Sequence, residues 1–113
     1  KGVRDTIDYL NKKNCIALMI DQRVSEGEMI DFFDKPALTT TLPAQLSIKF
    51  NIDIIPVYIK RNKNNNFEIE FQKRISPELF KSKIELSNKL NKVLEDMVLK
   101  NSSQWIWSHN RWK

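Results

Sequence analysis

Asp21, Gln22 and Arg23 are consecutive and directly follow an apolar run at residues 15–20. An acid, an amide and a guanidinium at the end of a strand can hold hydroxyls and phosphates together. Arginine suits phosphate because its donors form a planar fork. Ligands of open α/β sheets bind at the carboxyl ends of strands, so these three residues are the best polar site in the chain. The other reading is that Asp21 only caps or salt-bridges the strand end. A second group is Phe32-Phe33, which precedes Lys35-Pro36-Ala37 in a polar stretch. Neighbouring strand residues point to opposite faces, so both rings cannot enter one core. One ring is then free for a ligand or lipid pocket; core filling is the alternative. A third group lies at residues 104–113, with all three tryptophans, His109, Arg111 and Lys113. Trp with Lys or Arg is the composition of a membrane interface. It also suits stacking on single-stranded nucleic acid, or a tail packing its indoles over a sheet. As a helix, this segment would place Trp105, His109 and Trp112 on one face and Trp107 and Arg111 on another. At least one tryptophan should then be mostly buried and one exposed, with Arg111 beside an exposed indole.

The rest of the sequence removes other chemistries. It has no glycine-rich phosphate loop, no GxSxG and no HExxH. A base-activated nucleophile needs a histidine within reach, and His109 is the single one. The carboxylate pairs Glu26/Glu28, Glu68/Glu70 and Glu95/Asp96 read as solvated surface. One cysteine, Cys15, excludes a disulfide framework and a cysteine-built zinc site, and fits a reducing compartment. The net charge of +5 favours anionic partners. No run of apolar residues is long enough to span a bilayer, and no signal peptide is present. The start, Lys1-Gly2-Val3, reads as a cut inside a longer protein, so chemistry that needs upstream residues is expected outside this chain.

The elements that must position these groups follow from patterning. Val3, Ile7 and Leu10 mark one face of a first helix. Residues 15–20 (CIALMI) read as a strand buried on both faces, as in a parallel sheet. Residues 21–41 lack clear periodicity and read as a long loop, which is unusual in a compact domain unless functional. Thr40 or Thr41 can cap a helix with Pro43 in its first turn and the stripe Leu42, Leu46, Phe50; Asn51 can end it. Residues 54–59 (IIPVYI) read as a second strand, with Pro56 asking for an edge, a bulge or a strand start. Phe67, Ile69 and Phe71 alternate with Glu68, Glu70 and Gln72 in a third. The second and third strands should pair antiparallel, and the first and second parallel through a right-handed crossover. Pro77 opens a last helix whose stripe runs Leu79, Ile84, Leu86, Leu90, Val93, Leu94, Met97 and Val98. The order is α/β in a single domain over residues 1–113.

With these residues in view, the chain resembles the C-terminal part of the bacterial lipid A biosynthesis acyltransferases, the lauroyl and myristoyl transferases of lipopolysaccharide assembly. The resemblance rests on Asp21-Gln22, Gly27, Phe32-Phe33, Ala37 and Thr39, then Pro56-Val57-Tyr58-Ile59. Its most specific part is Gln104-Trp105-x-Trp107-x-His109-x-Arg111-Trp112-Lys113, and the order covers nearly the whole chain. Two positions depart from the family pattern: Asp34 stands where a glycine is usual, and Asn110 where an arginine is usual. The family's catalytic histidine and acid, separated by four residues, are absent, and are expected upstream of Lys1 together with a membrane anchor.

What the resemblance implies is the C-terminal portion of an α/β sheet domain like that of the glycerol-phosphate acyltransferases, with about three strands and three helices visible. It implies transfer of a fatty acyl group from acyl carrier protein thioester to a hydroxyl of the lipid A precursor, at the cytoplasmic face of the bacterial inner membrane, by a chain inactive on its own. Asp21, Gln22 and Arg23 would bind the acceptor, and the resemblance implies no metal or organic cofactor. Phe32, Phe33, Trp107 and Arg111 would contact the acyl chain or lipid. The runner-up is a non-enzymatic basic module for RNA or single-stranded DNA; its aromatics are not interleaved on strand faces as RNA-recognition sheets require.

Overall fold

Two antiparallel hairpins and one long helix set the frame in the computed structural model, which describes residues 2–112. In chain order the elements are α1 (Gly2–Asn11), β1 (Glu28–Phe32), β2 (Lys35–Thr39), α2 (Leu42–Phe50), β3 (Val57–Arg61), β4 (Phe67–Phe71) and α3 (Lys83–Lys100). Short 3-10 turns at Pro77–Leu79 and Ser102–Gln104 flank α3. The class is mixed α/β, as the residue pattern implies.

Helix α3 carries the packing. Its buried residues Leu86, Ser87, Leu90, Asn91, Leu94, Glu95 and Val98 recur every three or four positions, one face of the helix. The N-terminal half, Leu86 and Leu90, packs with Ala44 of α2 and Ile75. The C-terminal half, Leu94 and Val98, packs with Phe32 and Ala37 of the first hairpin. Ser82 starts the helix by accepting the Glu85 N–H at 3.1 Å, while the Glu85 carboxylate accepts the Lys81 N–H at 2.8 Å. This reciprocal arrangement satisfies donors left open at a helix start. The last helix therefore begins at Lys83 rather than Pro77, because Phe80 is extended and separates the 3-10 turn from α3.

The stretch read as a long loop contains the first hairpin. Met29 pairs with Leu38 and Ile30 with Ala37, and the closing pair is Phe32 with Lys35. Ile30, Phe32, Ala37 and Thr39 point inward. The two turn residues, Phe33 and Asp34, have φ of 51° and 57°, the left-handed geometry that a two-residue type I′ hairpin demands. Neither is a glycine, which hid the turn. Phe33 is held there by its N–H, which donates to the buried Glu95 carboxylate at 2.8 Å. Lys92 pairs with the same carboxylate at 3.0 Å; the hydrogen bond to Glu95 and nearby negative charge raise the Lys92 ammonium above its ordinary pKa.

Residues 15–20 do not form a strand, and the parallel crossover does not exist. They carry no regular structure, with Leu18 and Met19 exposed. A strand needs a ladder partner, and residues 15–20 pair with none among the described residues, where β3 is laddered to β4 alone. The second hairpin pairs as the alternation implies, Val57 with Phe71 and Ile59 with Ile69; Pro56 stands just before β3, and Ile54 makes only a bridge to Ile75. Helix α2 matches its expected span, ending on Asn51 in the left-handed region. Its Thr41 hydroxyl caps no N–H but accepts from Gln45 at 2.7 Å.

One side of β3–β4 is apolar and uncovered. Val57, Ile59, Phe67, Ile69 and Phe71 share a face by alternation, and all are exposed. At the outer edge of β3, the Gln104 amide accepts the Arg61 N–H at 3.0 Å and donates to the Arg61 carbonyl at 2.7 Å.

Asp34→Gly should stabilise the chain by about 0.5–1 kcal/mol, because glycine occupies the left-handed region without the steric cost of a Cβ. The Lys92–Asp34 contact it removes is an exposed 3.5 Å pair worth little. Thermal unfolding should show a midpoint higher by a few degrees; an unchanged or lower midpoint would mean that the turn is not left-handed at residue 34.

Candidate functional site

The first hairpin and the C-terminal segment come together at Thr39. Its hydroxyl donates to the Ala37 carbonyl at 3.0 Å and accepts from Arg111 Nη2 at 3.0 Å and Asn91 Nδ2 at 3.3 Å. Asn91 also donates to the Asp31 carbonyl at 3.0 Å, so α3 is tied to both strands of the hairpin. The backbone of Gly27 lies against the other side of Thr39. A Cβ on Gly27 would stand 2.3 Å from the Thr39 carbonyl oxygen, a distance no side chain tolerates, so the loop at residues 21–27 reaches β2 only with glycine there.

Arg111 is 1% exposed. Its Nη1 donates to the Leu38 carbonyl, and its guanidinium lies 5.6 Å from the centre of the Phe32 ring. Its Nε is buried without a hydrogen-bond partner among the described residues. Burial lowers the Arg111 pKa from its ordinary value, and the negative charge of Asp21 opposes that drop. Two residues earlier in the segment, His109 Nε2 accepts the Arg23 backbone N–H at 3.2 Å. The residues read from sequence as an acceptor site thus sit beside the terminal cluster, although 86 positions separate Arg23 from His109. Gln22 and Arg23 are exposed, and Asp21 is half-buried.

The aromatic expectations divide. Phe32 is fully buried and fills the core, stacked on Trp112 with ring centres 5.6 Å apart. Phe33, carried round by the turn, is half-buried at the rim, with its ring edge-on to Phe32 at 4.8 Å. Residues 105–112 are not helical, so Trp107 and Arg111 do not share a face. Trp107 points outward at 55% exposure, with its indole N–H on the Ser102 carbonyl at 2.9 Å. Trp105 and Trp112 are half-buried against the core, and Trp112 Nε1 donates to the Phe32 carbonyl at 2.9 Å. Arg111 turns inward, onto two polar groups of β2, the Leu38 carbonyl and the Thr39 hydroxyl, and the face of the Phe32 ring. Lys113, the last residue of the terminal motif, lies outside the described residues.

Sequence reasoning passed over Thr39, Asn91 and Glu95 as site-forming residues. Asn91 and Glu95 fall within the apolar stripe of α3, and a polar residue on a helix's buried face is the signal that could have found them. The chain matches the family model for bacterial lipid A biosynthesis acyltransferases over residues 1–113. No curated protein matches it.

Thr39→Val keeps the shape of the side chain and removes the hydroxyl that receives Arg111 and Asn91. It leaves two buried donors short of an acceptor, and stability should fall by about 2–3 kcal/mol. Denaturant unfolding checks this; a loss below about 0.5 kcal/mol would mean that the node carries no weight.

Proposed function

We propose, for a chain that belongs to the bacterial lipid A biosynthesis acyltransferase family, that its loop at residues 21–23 binds the acceptor in transfer of a fatty acyl group from acyl carrier protein thioester to a hydroxyl of the lipid A precursor. The observation that carries this reading is the hydrogen bond that brings Arg23 of the Asp21-Gln22-Arg23 triplet onto His109 of the terminal motif. The two motifs most remote in sequence share one place, and it leaves Gln22 and Arg23 open to solvent.

The transfer itself needs a base to take the hydroxyl proton as its oxygen attacks the thioester carbonyl, donors for the oxyanion that forms, and release of the thiol. His109 Nε2 is occupied by the Arg23 N–H, and the chain has no second histidine. In this reading the histidine–acid pair comes from another segment of the acyltransferase domain, and these 113 residues supply acceptor recognition and scaffold. The exposed apolar face of β3–β4 supports it, since a two-stranded sheet with an uncovered apolar side is marginal alone and suits packing against further strands. Phe33 and Trp107 remain the residues for contact with acyl chain or lipid. Phe32 and Arg111 act behind them. Among the described residues no helix is long and apolar enough to cross a membrane; action at the cytoplasmic face of the inner membrane rests on the family resemblance and the basic charge.

Two measurements test this. The 113-residue chain alone should give no acyl transfer from acyl carrier protein thioester, since loss of a general base alone costs about 10²- to 10⁴-fold; turnover by the isolated chain would overturn the division of labour. In an enzyme that carries this segment, Arg23→Ala should slow acceptor acylation by about 10- to 150-fold, the loss of one charge-assisted hydrogen bond, and leave thioester hydrolysis largely intact. Equal loss of both would make Arg23 structural.

A further inference from the structure

We infer that His109 and Arg111 are positioning residues, which clamp the loop at residues 21–27 onto β2 and leave Gln22 and Arg23 as its ligand-facing side chains. The inference rests on the acceptor reading of that loop only for what the loop binds; the clamp itself stands on geometry. The loop has no ladder or helix to hold its shape. Two contacts do so instead. Gly27 rests its backbone on Thr39. The Arg23 N–H is fixed by His109 Nε2 at 3.2 Å. Arg111, two residues beyond His109, anchors its Nη atoms on Leu38 and on Thr39, the residue of β2 against which Gly27 rests.

The chemistry of each group separates its role from that of a ligand contact. A guanidinium taken out of water needs partners, and Arg111 finds them on the Leu38 carbonyl and the Thr39 hydroxyl of β2, with the negative charge of Asp21 opposing the drop in its pKa. Arg111 is too deeply buried to meet a ligand. His109 presents Nε2 as an acceptor, which places the proton of its neutral ring on Nδ1. A histidine so engaged holds a backbone in place and is not free to accept a proton from a substrate at that nitrogen. The terminal motif and the Asp-Gln motif are then one device: the first is the mould in which the second is set.

The test uses the ¹⁵N-labelled 113-residue chain. In the unsubstituted chain at neutral pH, imidazole ¹⁵N shifts should report the Nδ1–H tautomer. His109→Ala alters an exposed side chain and should leave the fold intact, while the Arg23 amide exchanges about two- to tenfold faster and the amides of Ile30 and Ala37 keep their rates. Arg111→Gln should move the resonances of residues 21–23, and Arg111→Lys should restore them only in part, since lysine lacks the forked donors. An Nε2–H tautomer, or an Arg23 amide indifferent to His109→Ala, would overturn the clamp; that readout survives even if Arg111→Gln fails to fold. In an enzyme carrying the segment, His109→Ala should raise the acceptor KM by roughly tenfold with donor thioester hydrolysis kept. If the amides respond and the acceptor KM does not, the clamp stands and the acceptor role of the loop falls.

Discussion

A positive charge without water is the constraint around which one half of this structure is arranged. Burying the Arg111 guanidinium costs free energy that partners must offset. Two Nη donors find the carbonyl of Leu38 and the hydroxyl of Thr39, the charge of Asp21 acts in the same sense without a contact, and Nε has no partner among the described residues. Thr39 can serve because Asn91, reaching from α3, shares the same hydroxyl oxygen. The hairpin, the long helix, the loop before the hairpin and the C-terminal segment are thereby held by one polar node, with the Phe32 ring closing its apolar side. Such networks favour one arrangement over its neighbours, because a half-satisfied version costs more than none.

Around that node the two apolar clusters do different work. Leu86 and Leu90 with Ala44 and Ile75 anchor α2, a helix too short to stand alone. Leu94 and Val98 with Phe32 and Ala37 seat the hairpin, and Glu95 reaches past them to the turn. One helix face thus carries both the oily contacts and the polar ones, spaced a turn apart, which is why α3 orders a hairpin whose turn lacks glycine.

What could be read from sequence follows how local its cause is. Helix α2, the pairing of β3 with β4 and the stripe of α3 depend on neighbours within a few positions, and the pattern gave them. The strand expected at residues 15–20 rests on apolar composition alone; strand formation also needs a ladder partner, and these residues pair with none among the described residues. The first hairpin was hidden because Phe33 and Asp34 adopt a backbone geometry that their residue types seldom announce, and Pro36 falls inside β2. At the site, Asp21-Gln22-Arg23 was visible as a polar triplet. Its placement against His109 and Arg111 was not, since it depends on contacts across most of the chain. Arg111 is expected beside an exposed indole only if residues 105–112 are helical; they are not, and its burial has a cause, Thr39, that only folding brings near.

The Gln104 side chain also sets a boundary. An amide group has the same donor and acceptor as a peptide unit, and at Arg61 it fills both places that a neighbouring strand would use. Any sheet that grows outward from β3 can therefore run beside Val57 and Ile59 but must turn away before Arg61. The side chain works as a one-residue counterfeit strand, a stopper that fixes where the ladder ends and guards part of an exposed edge from pairing with the wrong chain.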